Sequence, residues 1–593
     1  MNTANSNEVR DSTTAIRSDI SIVVDGAYAR IRGALQADLD ECLRIIHPNH
    51  FFSPAFKEGR WDGFHRFYRK DRRDPSIFTF PAGLVSRVTR YYSNCAVPVT
   101  VQELGDFHQV DLSRLTDQYL PGITLRPDQM DAIRAILTNQ RGIVKASTGA
   151  GKTECAIVAA KYLWEELGWQ TLVVVPKADL VHQFAARCAK YFISETEPTV
   201  GICGGGQKKN GVKNREMGDI TIVTAQTLIQ FQDREKKVRE PLKGANGKPV
   251  LRPDGKPMTR TRIEQVPYDP VIRQLMETRQ VLALDEVHHA SSESWSEFCL
   301  RSKAIRRFGF SGSPLKESAI DDTTMMGATG DIISNVELNE LIEIGAAAKP
   351  KIIAILSDAV SGPTLPKGQK EYFIGKRSFT KEIDLPYADA YRLGIVENDY
   401  HNRAVIRVVA WLTDHGKRTV VFTRKKEQWK RLKDMAEAQG ISTVAIWGAT
   451  KQEDREAAKK AFTERKAKCL IANNVLDEGS DVEGIEALVM AEGVSVNTNA
   501  IQRVGRGTRR KKDGDNEVWV VDIIPTSHET LTQHGLDRVR VYEGEGYEVF
   551  PLYAWPAVPE NRDSLLWPFL RWEDAMQKLH DDNRRRRSRS RKD

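Results

Sequence analysis

The sequence predicts an α/β protein made of two tandem parallel-sheet units, with a small α+β domain ahead of them and a basic tail behind. Three observations carry that expectation. From about Leu125, short apolar runs (RGIVKA, TLVVVP, DITIVT, QVLALDE) alternate with helix-like stretches, and such alternation implies a parallel sheet covered on both faces. The pattern resumes after Pro350 with RTVVFT, TVAIWG, KCLIANN, ALVMAE and VWVVDII, so the units number two. The chain has 593 residues, too many for a single core.

The first 20 residues are polar, unfolded by composition, and lack the apolar core of a secretion signal. Residues 21–115 read as an aromatic-rich accessory domain, 116–348 as the first unit, 349–545 as the second, and 546–593 as an extension closing in the arginine run NRRRRSRSRKD. No apolar run is long enough to span a bilayer, which points to a soluble cytoplasmic protein with no membrane partner. Seven scattered cysteines form no C-x-x-C pair, so reduced buried thiols are expected rather than a zinc or disulfide framework. The 88 basic residues exceed the 80 acidic ones by too little to name a partner; where the charges sit matters more.

One stretch, 231–266, interrupts the first unit with ten Lys/Arg against five acids. GANGK and PDGK are turn signals, and PVLRPDGKPMTR suits a small β-hairpin. The stretch reads either as a solvated surface loop or as a nucleic-acid-touching insertion. The arginine tail likewise reads either as a non-specific phosphate holder or as a solubility tail.

The chemistry begins at Ala146-Ser147-Thr148-Gly149-Ala150-Gly151-Lys152-Thr153, between the apolar strand GIVKA and a helical stretch. That is a P-loop in its required setting, and it predicts an ATP site in a RecA-like lobe. Backbone N–H groups of Thr148, Gly149, Ala150 and Gly151 curl around phosphates, helped by the positive end of the following helix. Lys152 reaches the β- and γ-phosphates, and the Thr153 hydroxyl ligates Mg²⁺. Further on, the strand VLAL ends in Asp285 and Glu286: the first suits Mg²⁺, the second the attacking water. Hydrolysis also needs positive charge on the γ-phosphate in the transition state. QRVGRGTRR supplies it through Arg506 and Arg509, at i and i+3 on one helix face, beside Gln502. Alone these would read as a basic surface helix; with the earlier motifs they read as arginine fingers of a second RecA-like lobe.

Taken in order, LRPDQ, ASTGAGKT, VVVPKADLVHQF, TIVTAQTL, LDEVH, FSGSP, VVFTR, ANNVLDEGSDV and QRVGRGTR resemble the motif series of superfamily-two DExH helicases, over about residues 120–525. Within that superfamily the chain most resembles UvsW-type helicases of tailed phages, with more distant kinship to RecG-like and XPB-like motors. FKEGRWDG with FPAGLVSRV, the lobe-junction stretch ELNELIEIGAAAKP and the helix HGLDRVRVYEGEGYEV add to that likeness. The resemblance implies an ATP- and Mg²⁺-dependent helicase or translocase, monomeric, working on forks, Holliday junctions and R-loops, RNA–DNA hybrids included, in a phage host's cytoplasm. It gives Arg126 and Gln129 to adenine reading, and Gly479 and Asp481 to the second lobe's nucleotide loop. It gives His288, Ser311 and Ser313 to the coupling of hydrolysis to strand binding. Lys177, Thr224, Thr423 and Arg424 fall near the bound strand's backbone. SGSP stands where SAT is commoner, and DEGSDV carries Ser480 where an apolar residue is usual. A double-stranded-DNA translocase subunit and an RNA helicase remain open alternatives.

From Phe51 to Arg73 aromatics interleave with cations. Rings can stack on unpaired bases and cations can hold phosphates, although most such rings serve as core in a small domain. Lys57, Arg60, Arg69 and Lys70 are therefore the stronger candidates for DNA contact. The short spacing from DEGSDV to QRVGRGTR leaves little room for a strand-separating hairpin there, which shifts that task to the N-terminal domain or to 231–266.

Overall fold

The computed structural model describes residues 20–104, 109–147, 149–209, 212–230, 234–242, 258–266, 269–315, 318–357, 365, 367–374, 377–383, 385–448, 450–473, 482–493, 497–508 and 516–550. The chain divides into two compact units: residues up to 146 together with 151–336, and residues from 337 onward together with 147–150.

The first unit opens with a five-stranded sheet in the order Arg69–Lys70, Ile77–Pro81, Tyr28–Arg32, Ile20–Asp25, Val99–Leu104. Period-two alternation in ISIVVD sends Ile20, Ile22 and Val24 inward. The helices Gln36–Leu43 and Val85–Asn94 supply Leu39, Leu43, Val88 and Tyr92 to the same core. That core does not close on itself: Ile320 and Met326, from the helix Ala319–Thr329 of the motor lobe, pack into it. Gly83 makes the approach possible, because a Cβ there would collide with the Met326 carbonyl. Ser86 Oγ donates to Asp331 at 2.7 Å and Arg87 to Thr323 Oγ1 at 3.0 Å across the same seam. The accessory domain is thus docked on the first lobe through shared core as well as polar bonds.

The first lobe's eight-stranded sheet runs Val212–Arg215, Val200–Lys209, Ile220–Thr224, Thr171–Val175, Val281–Asp285, Arg306–Ser311, Arg141–Ala146, Ile332–Val336. Its central pairings are parallel, and Val212–Arg215 turns back antiparallel at the edge. Runs such as TLVVV and ITIVT are buried at every position, as strands covered on both faces must be. Two adjacent buried arginines brace it. Arg306 donates to the carbonyls of Ile136, Leu137 and Asn139, at the end of the helix Pro127–Thr138. Arg307 donates to Cys299 and Ser302, at the end of the helix Glu293–Arg301. Neighbouring strand residues point to opposite faces, so each arginine caps a helix on its own side of the sheet.

The second unit holds a seven-stranded, wholly parallel sheet in the order Thr443–Ile446, Cys469–Ala472, Thr419–Phe422, Ala487–Met490, Glu517–Ile524, Lys349–Leu356, Glu548–Phe550. The expectation of two parallel-sheet lobes with a small α+β domain ahead of them matches what is built. The limits differ at both ends of this lobe. Its division from the first falls between Val336 and Glu337 rather than at 348/349. Main-chain bonds already tie residues 348 and 349 to the second lobe: Ala348 N–H donates to Thr508 O at 2.6 Å and Lys349 N–H to Asn516 O at 2.8 Å. At the other end Glu548–Phe550 joins the sheet, past the expected limit at 545.

Besides the antiparallel pairing of Arg44–Ile46 with Phe64–Arg66 in the accessory domain, two further two-stranded sheets lie among the described residues. One pairs Arg234–Pro241 with Thr259–Val266, inside the basic stretch 231–266. The strands therefore flank the expected hairpin PVLRPDGKPMTR, most of which lies outside the described residues. The other pairs Gly368–Ile374 with Arg377–Ile383 in the second unit, and had no counterpart among the sequence expectations. Among the described residues no helix is long and apolar enough to cross a membrane. Of the seven cysteines, six are buried and Cys95 is exposed; all are free thiols.

Candidate functional site

The strand Arg141–Ala146 lies between Arg306–Ser311 and Ile332–Val336, and its C-terminal end delivers the chain into the phosphate loop. Gly151 ends the loop at φ 84°, a left-handed conformation that favours glycine, and the 16-residue helix Lys152–Leu167 starts immediately after it. A side chain at 151 would also strike Gln129 Nε2, so Gln129 is packed directly against the loop. Its Oε1 accepts from the Arg126 backbone N–H at 3.0 Å, and Arg126 is clamped bidentate on Asp128 at 2.9 and 2.8 Å. The expected adenine-reading pair therefore stands at the mouth of the P-loop helix. Lys152 Nζ donates to the Ala146 carbonyl at 3.0 Å, reaching back across the loop. Thr148 lies outside the described residues.

The carboxylates come from the next-but-one strand, Val281–Asp285. Glu286 follows with φ 49° and ψ 55°, a left-handed position for a residue that has a Cβ. Such a residue costs about 1–3 kcal/mol and persists where its surroundings hold it. Here the holding groups are visible. His288 Nδ1 lies 3.0 Å from Ser311 Oγ and 3.4 Å from Glu286 Oε2, and Ser311 Oγ donates to Glu286 Oε2 at 3.4 Å. Ser313 N–H donates to Ser311 Oγ at 3.3 Å, while Ser313 Oγ is buried without a hydrogen-bond partner among the described residues. Glu286, His288, Ser311 and Ser313 thus form one bonded group spanning two strand ends. His289 extends it: its ring stacks near His288 at 4.4 Å and near Trp295 at 5.2 Å, a wall that the motif pattern did not reveal.

Thr153 and Asp285 offer one hydroxyl and one carboxylate. Among the described residues no group of three or more His, Cys, Asp and Glu forms a metal cage. That sparse donor set fits Mg²⁺, which keeps waters and shares its shell with nucleotide phosphates.

In the second lobe, the helix Asn497–Gly507 carries a half-buried Arg506 in its last turn. The side chain of Gln502 is not described, and Arg509, Gly479 and Asp481 lie outside the described residues.

Comparison with known proteins assigns a family domain to each lobe. Residues 122–316 match the family described as type III restriction enzyme, res subunit, and residues 401–511 match the helicase conserved C-terminal domain. The chain is 23% identical over 525 residues to the ATP-dependent DNA helicase uvsW of Enterobacteria phage T4, covering 84% of this chain and 91% of that protein. It is 23% identical over 429 residues to the DNA 3'-5' translocase XPB2 of Sulfurisphaera tokodaii, covering 68% and 82%. This chain is a superfamily-two helicase. The crystal structure of T4 UvsW aligns over 90% of this chain and 99% of that one, at 18% identity and a TM-score of 0.39.

The residues that the resemblance places beside a nucleic-acid strand divide by exposure. Lys177 precedes the helix Ala178–Tyr191 and is half-buried; Arg424 is exposed. Thr224 and Thr423 are buried. Thr224 Oγ1 is 2.8 Å from Thr227 Oγ1 and accepts from the Thr227 N–H, so it starts the helix Ala225–Gln230 instead of facing outward. Thr423 holds its loop through a main-chain bond, N–H to Ala472 O at 2.9 Å. In the helicase's accessory domain Lys57, Arg60, Arg69 and Lys70 are all exposed, with Arg60 paired to Glu58 at 2.6 Å. The rings separate in the same way: Phe67 and Tyr68 are core, whereas Phe51 and Phe52 stand out at 56% and 76% exposure.

Sequence reasoning left three functional-region residues without a role: Arg503, Glu492 and Phe422. A signal existed for the first. Ala500, Arg503, Val504 and Gly507 fall at helical spacing and are all buried, so Arg503 is a charge in an apolar stripe.

Proposed function

We propose that this helicase couples ATP hydrolysis to movement on branched DNA (forks, four-way junctions and R-loops) in recombination, repair or replication. The single observation that carries the hydrolysis half is the bonded group of Glu286, Ser311 and His288. It joins the carboxylate that would take a proton from the attacking water to the motif that would report strand binding. Water adds to the γ-phosphorus, the bond to the ADP oxygen breaks, and Glu286 receives the proton. Lys152 and the loop N–H groups hold the phosphates, and Arg506 and Arg509 stabilise the charge that develops on them. When bound through Thr153 and Asp285, Mg²⁺ supplies charge neutralisation at those phosphates. Arg126 and Gln129 hold the base, Gly479 and Asp481 are given to the nucleotide by the family resemblance alone, and Lys177 and Arg424 track the strand.

The DNA half rests on the printed names of the relatives, a DNA helicase and a DNA translocase, and on the accessory domain. Docked on the motor, it exposes Phe51 and Phe52 and, a few residues later in the chain, Lys57 and Arg60. Exposed rings and cations suit the unpaired bases and phosphates of a junction. A translocase without strand separation is the second reading, favoured by the restriction-subunit match of the first lobe.

Glu286→Gln should bind ATP and DNA while its turnover falls about a hundredfold or more; normal turnover would remove Glu286 from the role of base. A panel of fork, four-way junction, R-loop and RNA duplex then ranks substrates. Deleting the accessory domain would strip the first lobe of shared core, so the double change Phe51→Ala, Phe52→Ala is the cleaner probe. Fork unwinding should drop more than DNA-stimulated hydrolysis. Equal drops would take strand separation away from this tip. Displacement of a third strand from duplex, with fork arms left paired, would favour the translocase.

A further inference from the structure

Arg503 and Arg506 share a helix but not an environment. Arg506 is half-buried, whereas Arg503 is 2% exposed, on the stripe packed against the sheet. A guanidinium so far from water needs a partner. It has one in Glu492, 3% exposed, two residues beyond the strand Ala487–Met490. The guanidinium carbon also lies 4.7 Å from the centroid of the Phe422 ring. Phe422 ends the strand Thr419–Phe422 and leads directly into Thr423 and the exposed Arg424. The chain beside Glu492 is pinned as well: the Ala491 carbonyl accepts from His401 Nε2 at 3.0 Å and from Gln428 Nε2 at 3.1 Å. One buried arginine therefore touches the helix that presents Arg506, the segment that follows the neighbouring strand, and the strand that ends at Arg424.

An ion pair in such a place is seldom worth more to stability than apolar residues of equal volume. Leucine or methionine at 503 would continue the stripe Ala500, Val504, Gly507 without the cost of desolvation. Fixing geometry is what the charge adds. We propose that Arg503, through Glu492 and Phe422, is a positioning residue that makes the loop at Arg424 and the side chain of Arg506 shift as one body. Engagement of a nucleic-acid strand at Arg424 then sets how Arg506 is presented. The inference rests on the reading above, in which Arg424 meets the strand and Arg506 the nucleotide.

The test is ATP turnover by the full-length chain across a titration of fork DNA. Glu492→Gln keeps the side chain's shape and removes its charge. The ratio of DNA-stimulated to unstimulated turnover should fall about tenfold, within the range of ordinary coupling energies, and half-maximal stimulation should need more DNA. An unchanged ratio, or both rates falling by one factor, overturns the proposal, because a merely structural role would not touch the ratio. Glu492→Gln leaves an unpaired buried charge, so Phe422→Leu is run beside it; it keeps apolar volume and removes the ring face. There the ratio should fall about two- to threefold, on the scale of a cation–π contact, and no change again overturns the proposal. Arg506→Ala separates the failures. If that chain hydrolyses ATP normally, the nucleotide-facing reading is what falls. If it is inactive while Glu492→Gln keeps its ratio, only the positioning role does.

Discussion

The two lobes bury arginines in opposite ways. The first sinks Arg306 and Arg307 against main-chain carbonyls, the second sinks Arg503 and Arg538 against carboxylates. Arg538 grips Asp522 with two bonds of 2.7 and 2.8 Å, and Tyr542 Oη donates to the same carboxylate at 3.0 Å. The protonation chemistry follows the partners. Burial pushes the Arg306 and Arg307 guanidinia down to about 10, with no carboxylate beside them among the described residues to offset it. Burial opposes the charge on Arg538 too, but the Asp522 carboxylate outweighs it and holds the group above its ordinary value. Position differs as well. Arg306 and Arg307 open their strand, at the opposite end from Ser311, whereas Asp522 lies two residues before the closing end of its strand and Glu492 two residues beyond its own. Carbonyl-held arginines thus brace helices far from the chemistry, and carboxylate-held ones sit where sheets of this kind present ligand-binding loops.

The largest effect should come from breaking the second kind. Arg538→Met abandons a buried carboxylate and should cost about 3–5 kcal/mol in a denaturant titration. A loss below about 1 kcal/mol would erase the distinction, being no more than an exposed pair contributes. Arg307→Met comes next. It removes a donor from two helix-end carbonyls, a loss of about 1–3 kcal/mol, with the KM for ATP unchanged. A larger loss than that of Arg538→Met would invert the comparison. The smallest effect is chemical. Burial raises the thiols of Cys299 in the first lobe and Cys469 in the second to about 12, so both stay protonated and unreactive at pH 8. Iodoacetamide should then mark the native chain once, at the exposed Cys95, as read by peptide mass. In Arg307→Met, whose lost bond ends on the Cys299 carbonyl, Cys299 should label ahead of Cys469. Equal labelling would mean that the loosening is not local.

The glycine-rich loop and Asp285-Glu286 stood out in the sequence because phosphate chemistry dictates both residue type and spacing; Ser311 and Ser313 stood out only through the family resemblance. The two-sheet plan was legible as well, from runs too apolar for any half-exposed strand. The buried arginines were not. RRFGFS carries two charges at its start, and nothing local shows that two helix ends arrive to meet them. Arg503 was in a recognised motif, but Glu492 belongs to another strand's end and the pair exists only once the sheet is formed. In the accessory domain, FFSPAFKEGRWDGFHRFY crosses two short helices and a strand. No single period therefore sorts exposed Phe52 from buried Phe67.

The seam at Gly83 has a mechanical consequence. The accessory domain shares its core with the helix Ala319–Thr329 and is bolted at Asp331, and Glu103 pairs with Arg141 at the root of the strand that feeds the phosphate loop. Among the described residues these contacts tie it to the lobe by core, hydrogen bond and ion pair alike. A turn of a few degrees in the motor is delivered at Phe52 as travel along an arc, as an oar blade answers a small movement at the grip.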